Sequence, residues 1–159
     1  MNLDTPLLKM ENVINLSGRI KPAYTNIQDD IRRAGFKTYT KGYDSIAIRL
    51  FYDYNNPEFE IVEMRKNCED WVFLYFKLRR HIGNEEIKVD IIKQKIIIPQ
   101  SGWKDFTNKI FDLGIATLPD YSYIPEYNAA NNGYSLTVEI SMSKYYRIYT
   151  YLGPKQNLI

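Results

Sequence analysis

A chain of 159 residues with 21 basic and 19 acidic side chains, a formal charge of +2, fits one domain and lacks the basic excess of a nucleic-acid binder. A domain of that size buries about 70% of the surface its unfolded chain exposes, so it needs no disulfide or metal staple. One cysteine (Cys68) and one histidine (His81) exclude an internal disulfide and a four-ligand Cys/His zinc site within a single chain.

Residues 1–24 show no sustained period, broken as they are by Pro6, Gly18 and Pro22, and they read as an arm. They carry Asp4, Lys9 and Glu11 but no basic leader or long apolar run, so a soluble cytoplasmic protein is the expectation. The segment from Thr25 to Phe36 then predicts a short amphipathic helix. Thr25 or Asn26 serves as its cap, Ile27, Ile31 and Ala34 line one face, Arg32 and Arg33 close the last turn, and Gly35 stops it.

From Ser45 the period changes to two. Ile46, Ile48, Leu50 and Tyr52 fall on one side of a strand, with Ala47, Arg49, Phe51 and Asp53 on the other. Asn55-Asn56-Pro57 turns the chain into a returning strand, Glu58 to Arg65. After a polar turn at Asn67–Asp70, the run Trp71–Leu78 is apolar on both faces, as a central strand covered on both sides would be. Ile87, Val89 and Ile91 then alternate with polar neighbours, and the run Ile96–Ile98 ends at Pro99.

A second helix follows over Ser101–Leu113. Trp103, Phe106, Ile110 and Leu113 recur at helical spacing, Ser101 is placed as N-cap, and Gly114 closes it. A Pro- and Asn-rich loop leads to a strand, Tyr134–Met142, and to a last strand beginning near Tyr145. The expectation is a single α+β domain over 1–159, with a 1–24 arm and a 25–159 core of order α-β4-α-β2. Its antiparallel sheet has about six strands, with one or two helices packed on one face.

The last two strands form a hairpin whose register sets the meaning of "YYRIYTYLGP" (Tyr145–Pro154). A two-residue loop puts Arg147 on the apolar face of Leu136 and Ile140, where an unpartnered guanidinium would cost several kcal/mol. A three-residue loop opposes Ile140 to Ile148, Val138 to Thr150 and Leu136 to Leu152, and this register is the expected one. It gathers Glu139, Tyr145, Arg147, Tyr149 and Tyr151 on the second face as a flat aromatic–Arg patch, a candidate partner-binding surface. The same residues also suit a solvated face with cross-strand pairs. Fourteen tyrosines are unusual, but Asn, Ile and Lys are plentiful too, so compositional bias accounts for them as well as function does.

Catalytic constellations are thin. Cys68 and His81 bracket the strand Trp71–Leu78, which places them near its opposite ends. Glu58 with Glu60, and Glu85 with Glu86, offer paired carboxylates that charged strand edges explain equally well. The sequence contains no DxDxDG loop, P-loop, GxGxxG or HExxH, so no catalytic residue, metal site or cofactor is expected. Aromatics interleave with basic residues in "VFLYFKLRRH", but without the signature of an RNA-binding sheet.

"PQSGWKDF" (Pro99–Phe106), "LGIATLPDY" (Leu113–Tyr121) and "GYSLTVEISMSKYYRIYTYLGP" (Gly133–Pro154) together resemble a group of small uncharacterised bacterial proteins. In that group a Trp-bearing helix leads to a Leu-Pro-Asp turn, a Gly-Tyr…Val-Glu strand and a Tyr-Arg-x-Tyr-x-Tyr strand. The resemblance covers roughly the last third of the chain and implies a fold, not a reaction. Gly153 stands where the group would have Asn.

The functional expectation is a non-enzymatic protein-binding domain, in its most specific form an immunity-type inhibitor of a bacterial toxin. The first alternative is a small-molecule-binding or enzymatic α+β domain with a pocket between the sheet and helix 101–113. The second is a structural or self-associating module that pairs through an edge strand as a homodimer. Another protein is the expected partner; a membrane is not.

Overall fold

The computed structural model describes residues 22–68, 70–121, 124–125, 134–143 and 145–153. Residues 1–21, most of the expected arm, lie outside the described residues. Helix α1 spans Pro22–Arg33 and is followed by strands β1 (Ile46–Tyr52), β2 (Glu58–Asn67), β3 (Asp70–Ile82) and β4 (Ile87–Ile96). Helix α2 (Gly102–Asp112) and strands β5 (Ser135–Met142) and β6 (Tyr145–Leu152) complete the order. The six strands form one antiparallel sheet in the order β4-β3-β2-β1-β5-β6, so the architecture is α+β as the strand pattern predicts.

Each helix takes its own face of this sheet. Ile27 and Ile31 of α1 pack with Phe51, Ile61, Phe76 and Leu78. Trp103, Phe106 and Ile110 of α2 pack with Ile48, Met64 and Phe73, which point the other way along the same strands. The expectation of helices sharing one face is thereby refined. The strands are apolar on both sides, and a single helix layer would leave one side wet. Strand β3, expected at the centre, is the second strand in from the edge, yet it is covered from both sides as its sequence required.

Local signals place the helix ends with two adjustments. Helix α1 begins at Pro22, ahead of the expected caps Thr25 and Asn26, because proline fits the first helical turn, where its missing N–H is not needed. Its stop is as expected, with Gly35 in the left-handed region at φ +80°. Ser101 precedes α2, but its side chain makes no capping hydrogen bond.

The hairpin register is the main correction. Met142 pairs with Tyr145, Ile140 with Arg147, Glu139 with Ile148 and Val138 with Tyr149, so the two-residue connection is the one formed. Arg147 therefore lies on the apolar α2 side. The objection to that register assumed an unpartnered guanidinium, and the fold supplies acceptors: Arg147 donates to the carbonyl of Ala116 at 2.6 Å and to that of Leu118. Glu139 turns to the α1 side, where charged and polar partners surround it.

Candidate functional site

The five residues singled out from the sequence do not form one exposed face. Glu139 is fully buried on the α1 side, and Tyr149 is buried on the α2 side. Tyr145 is exposed, and Arg147 and Tyr151 are half-buried. The last three strand residues of alternate parity instead fasten the loop that follows α2. Tyr149 donates its hydroxyl to the Ile115 carbonyl at 2.6 Å and Tyr151 donates to that of Pro119 at 2.6 Å, beside the Arg147 contacts. Arg147 also stacks 4.5 Å above the Tyr149 ring. Burial pulls its guanidinium pKa below the usual range, and burial likewise drives the Tyr149 phenol well above its own.

This loop also engages the outer edge of β6 at Thr150. Asp120 reaches back to accept the backbone N–H of Thr150 at 3.0 Å and the Tyr24 hydroxyl at 2.6 Å. One backbone group that the edge strand would otherwise offer to a passing strand, the Thr150 N–H, is thus taken up within the chain.

Between the sheet and α1 lies an ion network that sequence reading did not single out. Arg49 of β1 faces Glu63 of β2 and Glu139 of β5 in direct register. Its guanidinium lies 2.5 Å from Glu63 and 3.4 Å from Glu139, and it donates to the Lys37 carbonyl at 2.7 Å. The Tyr39 ring stacks on it at 3.8 Å. Tyr146 and Gln28 each donate to Glu139, at 2.9 and 2.8 Å. Arg65 Nε sits 3.0 Å from the second Glu63 oxygen, but without hydrogen-bond alignment.

Burial opposes the Arg49 charge, yet the carboxylates of Glu63 and Glu139 outweigh it and hold its pKa above normal. Two guanidiniums against two carboxylates leave the cluster neutral. Such a network orders a core: Arg49, Glu63 and Glu139 are buried and only Arg65, half-buried, reaches toward solvent. The alternation around Arg49 was its one sequence signal: a charge on a face otherwise lined by Ala47 and Phe51.

A second buried carboxylate, Asp30, accepts from Tyr54 at 2.8 Å and Arg80 at 2.8 Å, and Arg80 stacks over Tyr54 and Phe59. Cys68 is exposed in the turn between β2 and β3, while His81 lies near the far end of β3, 3.1 Å from Asp90. The two are at opposite ends of the strand, as their spacing predicted. Glu58 is held by Lys77 and Arg79 at 2.8 and 2.6 Å, and these bonds lower its pKa. Among the described residues no three His, Cys, Asp or Glu side chains converge as a metal site.

The opposite edge is built differently from β6. Apart from Val89 and half-buried Ile87, which join the α1-side core, strand β4 is exposed along its length. Ile91 and Ile92 are each 42% accessible, Ile96 70% and Ile98, just past the strand, 75%. Lys88, Lys93 and Lys95 are exposed beside them. No helix of the described residues is long and apolar enough to cross a membrane. A scan against family models finds no match to the chain, and searches of curated proteins and of solved structures find none.

Proposed function

We propose that this protein is a protein-binding domain, with no reaction of its own, that engages its partner along β4. One observation carries the reading: the loop after α2 engages the β6 edge at Thr150, while β4 presents exposed isoleucines and an outer edge that no described residue covers. Clusters of accessible apolar side chains rimmed by polar ones mark interaction sites rather than ordinary surface. The ligand-binding alternative asks for room between the sheet and α2. That space is filled by rings, with Phe73 at 4.6 Å from Trp103 and 5.4 Å from Phe106.

The test is a pull-down from the native host, comparing the wild-type chain with Ile92→Asp/Ile96→Asp and with Leu113→Asp, a control at an exposed leucine elsewhere. The expected result is one identified protein that rebinds in purified form, survives the control and is lost in the β4 variant. A partner retained by the β4 variant would remove this surface from the proposal. An immunity-type inhibitor is one form of the function, and recovery of a toxin would identify it.

A further inference from the structure

The sheet edge at β4 also defines the chemistry of what it would hold. We infer that β4 docks an extended segment of alternating apolar and acidic residues, added to the sheet as a seventh strand. The inference rests on the protein-binding reading above and specifies its mode.

The two faces of β4 are chemically sorted. Leu74 opposes Ile96, Phe76 opposes Gln94, Leu78 opposes Ile91 and Arg80 opposes Val89, so these β4 residues share the α1 side of the sheet. Tyr75 opposes Lys95 and Lys77 opposes Lys93, which places the lysines on the α2 side. A strand laid alongside would meet isoleucines on one face and ammonium groups on the other.

The strand's formal charge is three lysines less Asp90, or 3 − 1 = +2. Asp90 is already engaged by His81, and Glu58 on the same face already holds Lys77 and Arg79. Among the described residues, Lys93 and Lys95 have no carboxylate within salt-bridge distance; Lys95 lies 4.9 Å over the Tyr75 ring. Opposite-charge pairs across neighbouring strands stabilise and like charges oppose. A second copy of this chain would therefore bring +2 against +2, whereas acidic side chains would complete the face. The lysines guard the edge against itself and admit an acidic strand.

The backbone is oriented for this. Ile97 donates its N–H to the Phe73 carbonyl at 3.1 Å, so it faces β3. In an antiparallel ladder inward and outward residues alternate, which turns the N–H and C=O groups of Gln94 and Ile96 outward. Main-chain bonds at these positions would give affinity, and the sorted side chains would give selectivity.

The full chain is titrated, by fluorescence anisotropy, into a labelled ten-residue peptide alternating Val and Glu, and separately into one alternating Val and Lys. The acidic peptide is expected to bind roughly tenfold more tightly, through two or three cross-strand charge pairs. Gln94→Pro removes an outward N–H without touching the β3 ladder, so it should abolish binding while the thermal midpoint stays close to that of the wild type. Lys93→Glu/Lys95→Glu should reverse the preference. Equal affinity for the two peptides, binding unaffected by Gln94→Pro, no saturation up to about 1 mM, or a β4-dependent dimer in sedimentation would each overturn the inference. A host protein lost with Ile92→Asp/Ile96→Asp but kept by Gln94→Pro would leave the protein-binding reading standing and remove strand addition.

Discussion

Arg49 and Glu139 oppose each other directly across β1 and β5, and both are sealed from water. Glu63 faces Arg49 from the other side, so Arg49 is the one buried guanidinium between two buried carboxylates, with half-buried Arg65 against the outer Glu63 oxygen. Replacing Arg49 by Met should cost about 3–5 kcal/mol, because it leaves uncompensated buried charge rather than merely losing a contact. Urea unfolding would read this as a lower midpoint. Adding Glu63→Gln and Glu139→Gln should restore much of the loss, and a triple variant no better than Arg49→Met would contradict the account.

Alkaline pH should unfold the protein cooperatively. Burial, as the leading cause, raises the phenol pKa of Tyr24, Tyr39, Tyr54, Tyr146 and Tyr149 from the ordinary 10.0, with Glu139 adding to the effect at Tyr146. The folded chain then holds these protons when the unfolded chain has released them. Their contribution is complete below pH about 10 and is lost as pH rises beyond it. Tyrosinate absorbance and far-ultraviolet circular dichroism should change together for this group. Ionisation of all five before any loss of ellipticity would contradict their placement.

Two glycines with similar backbones should respond very differently to alanine. Gly35 has φ +80° and open space where a side chain would go, so Gly35→Ala should cost about 1–2 kcal/mol through the left-handed conformation alone. Gly42 has φ +96°, and a Cβ there would come within 2.4 Å of the Ser143 carbonyl oxygen. Gly42→Ala must push the β5–β6 turn away, so its thermal midpoint should fall clearly further than that of Gly35→Ala. Equal shifts would mean that the turn and the segment before β1 are not in contact.

Arg147→Ala should release the loop after α2 without dismantling the sheet. Hydrogen bonds to a charged donor contribute about 1.5–3 kcal/mol each way of counting, and Arg147 makes two of them to loop carbonyls. Hydrogen exchange should speed up over residues 115–120 and at the Thr150 amide, while the β1–β2 ladder stays protected. Uniform acceleration throughout the sheet would show instead that the residue supports the whole core.

Much of this fold was legible because each strand carries its own period. Ile46, Ile48 and Leu50 against Ala47, Arg49 and Phe51 give the two faces of β1 correctly, and Trp103, Phe106 and Ile110 give the packed stripe of α2, although Leu113, expected with them, is exposed past the helix end. The hairpin register was not legible, for a physical reason. Local pairing favours Ile140 beside Ile148, but the acceptors that settle Arg147 on the α2 side are main-chain carbonyls some 30 residues away, invisible to side-chain pattern. The open edge was equally hidden: "IKVDIIKQKI" says strand, and only the sheet order says which of its sides lacks a neighbour.

The sorting of β4 depends on a single surplus residue. Opposite Lys77 and Leu78 the pairing jumps from Lys93 to Ile91, leaving Ile92 as the insertion of a β-bulge. Odd-numbered positions point toward α1 before it and even-numbered positions after it. At unchanged length, pairing without the bulge would put Lys93 opposite Phe76 and Lys95 opposite Leu74 and send Ile96 across the sheet, whereas excising Ile92 would leave every other pairing as it is. The bulge is therefore the polarity switch of this strand, and a chain that lost it without losing a residue would have to exchange its lysines and isoleucines to keep the sorting.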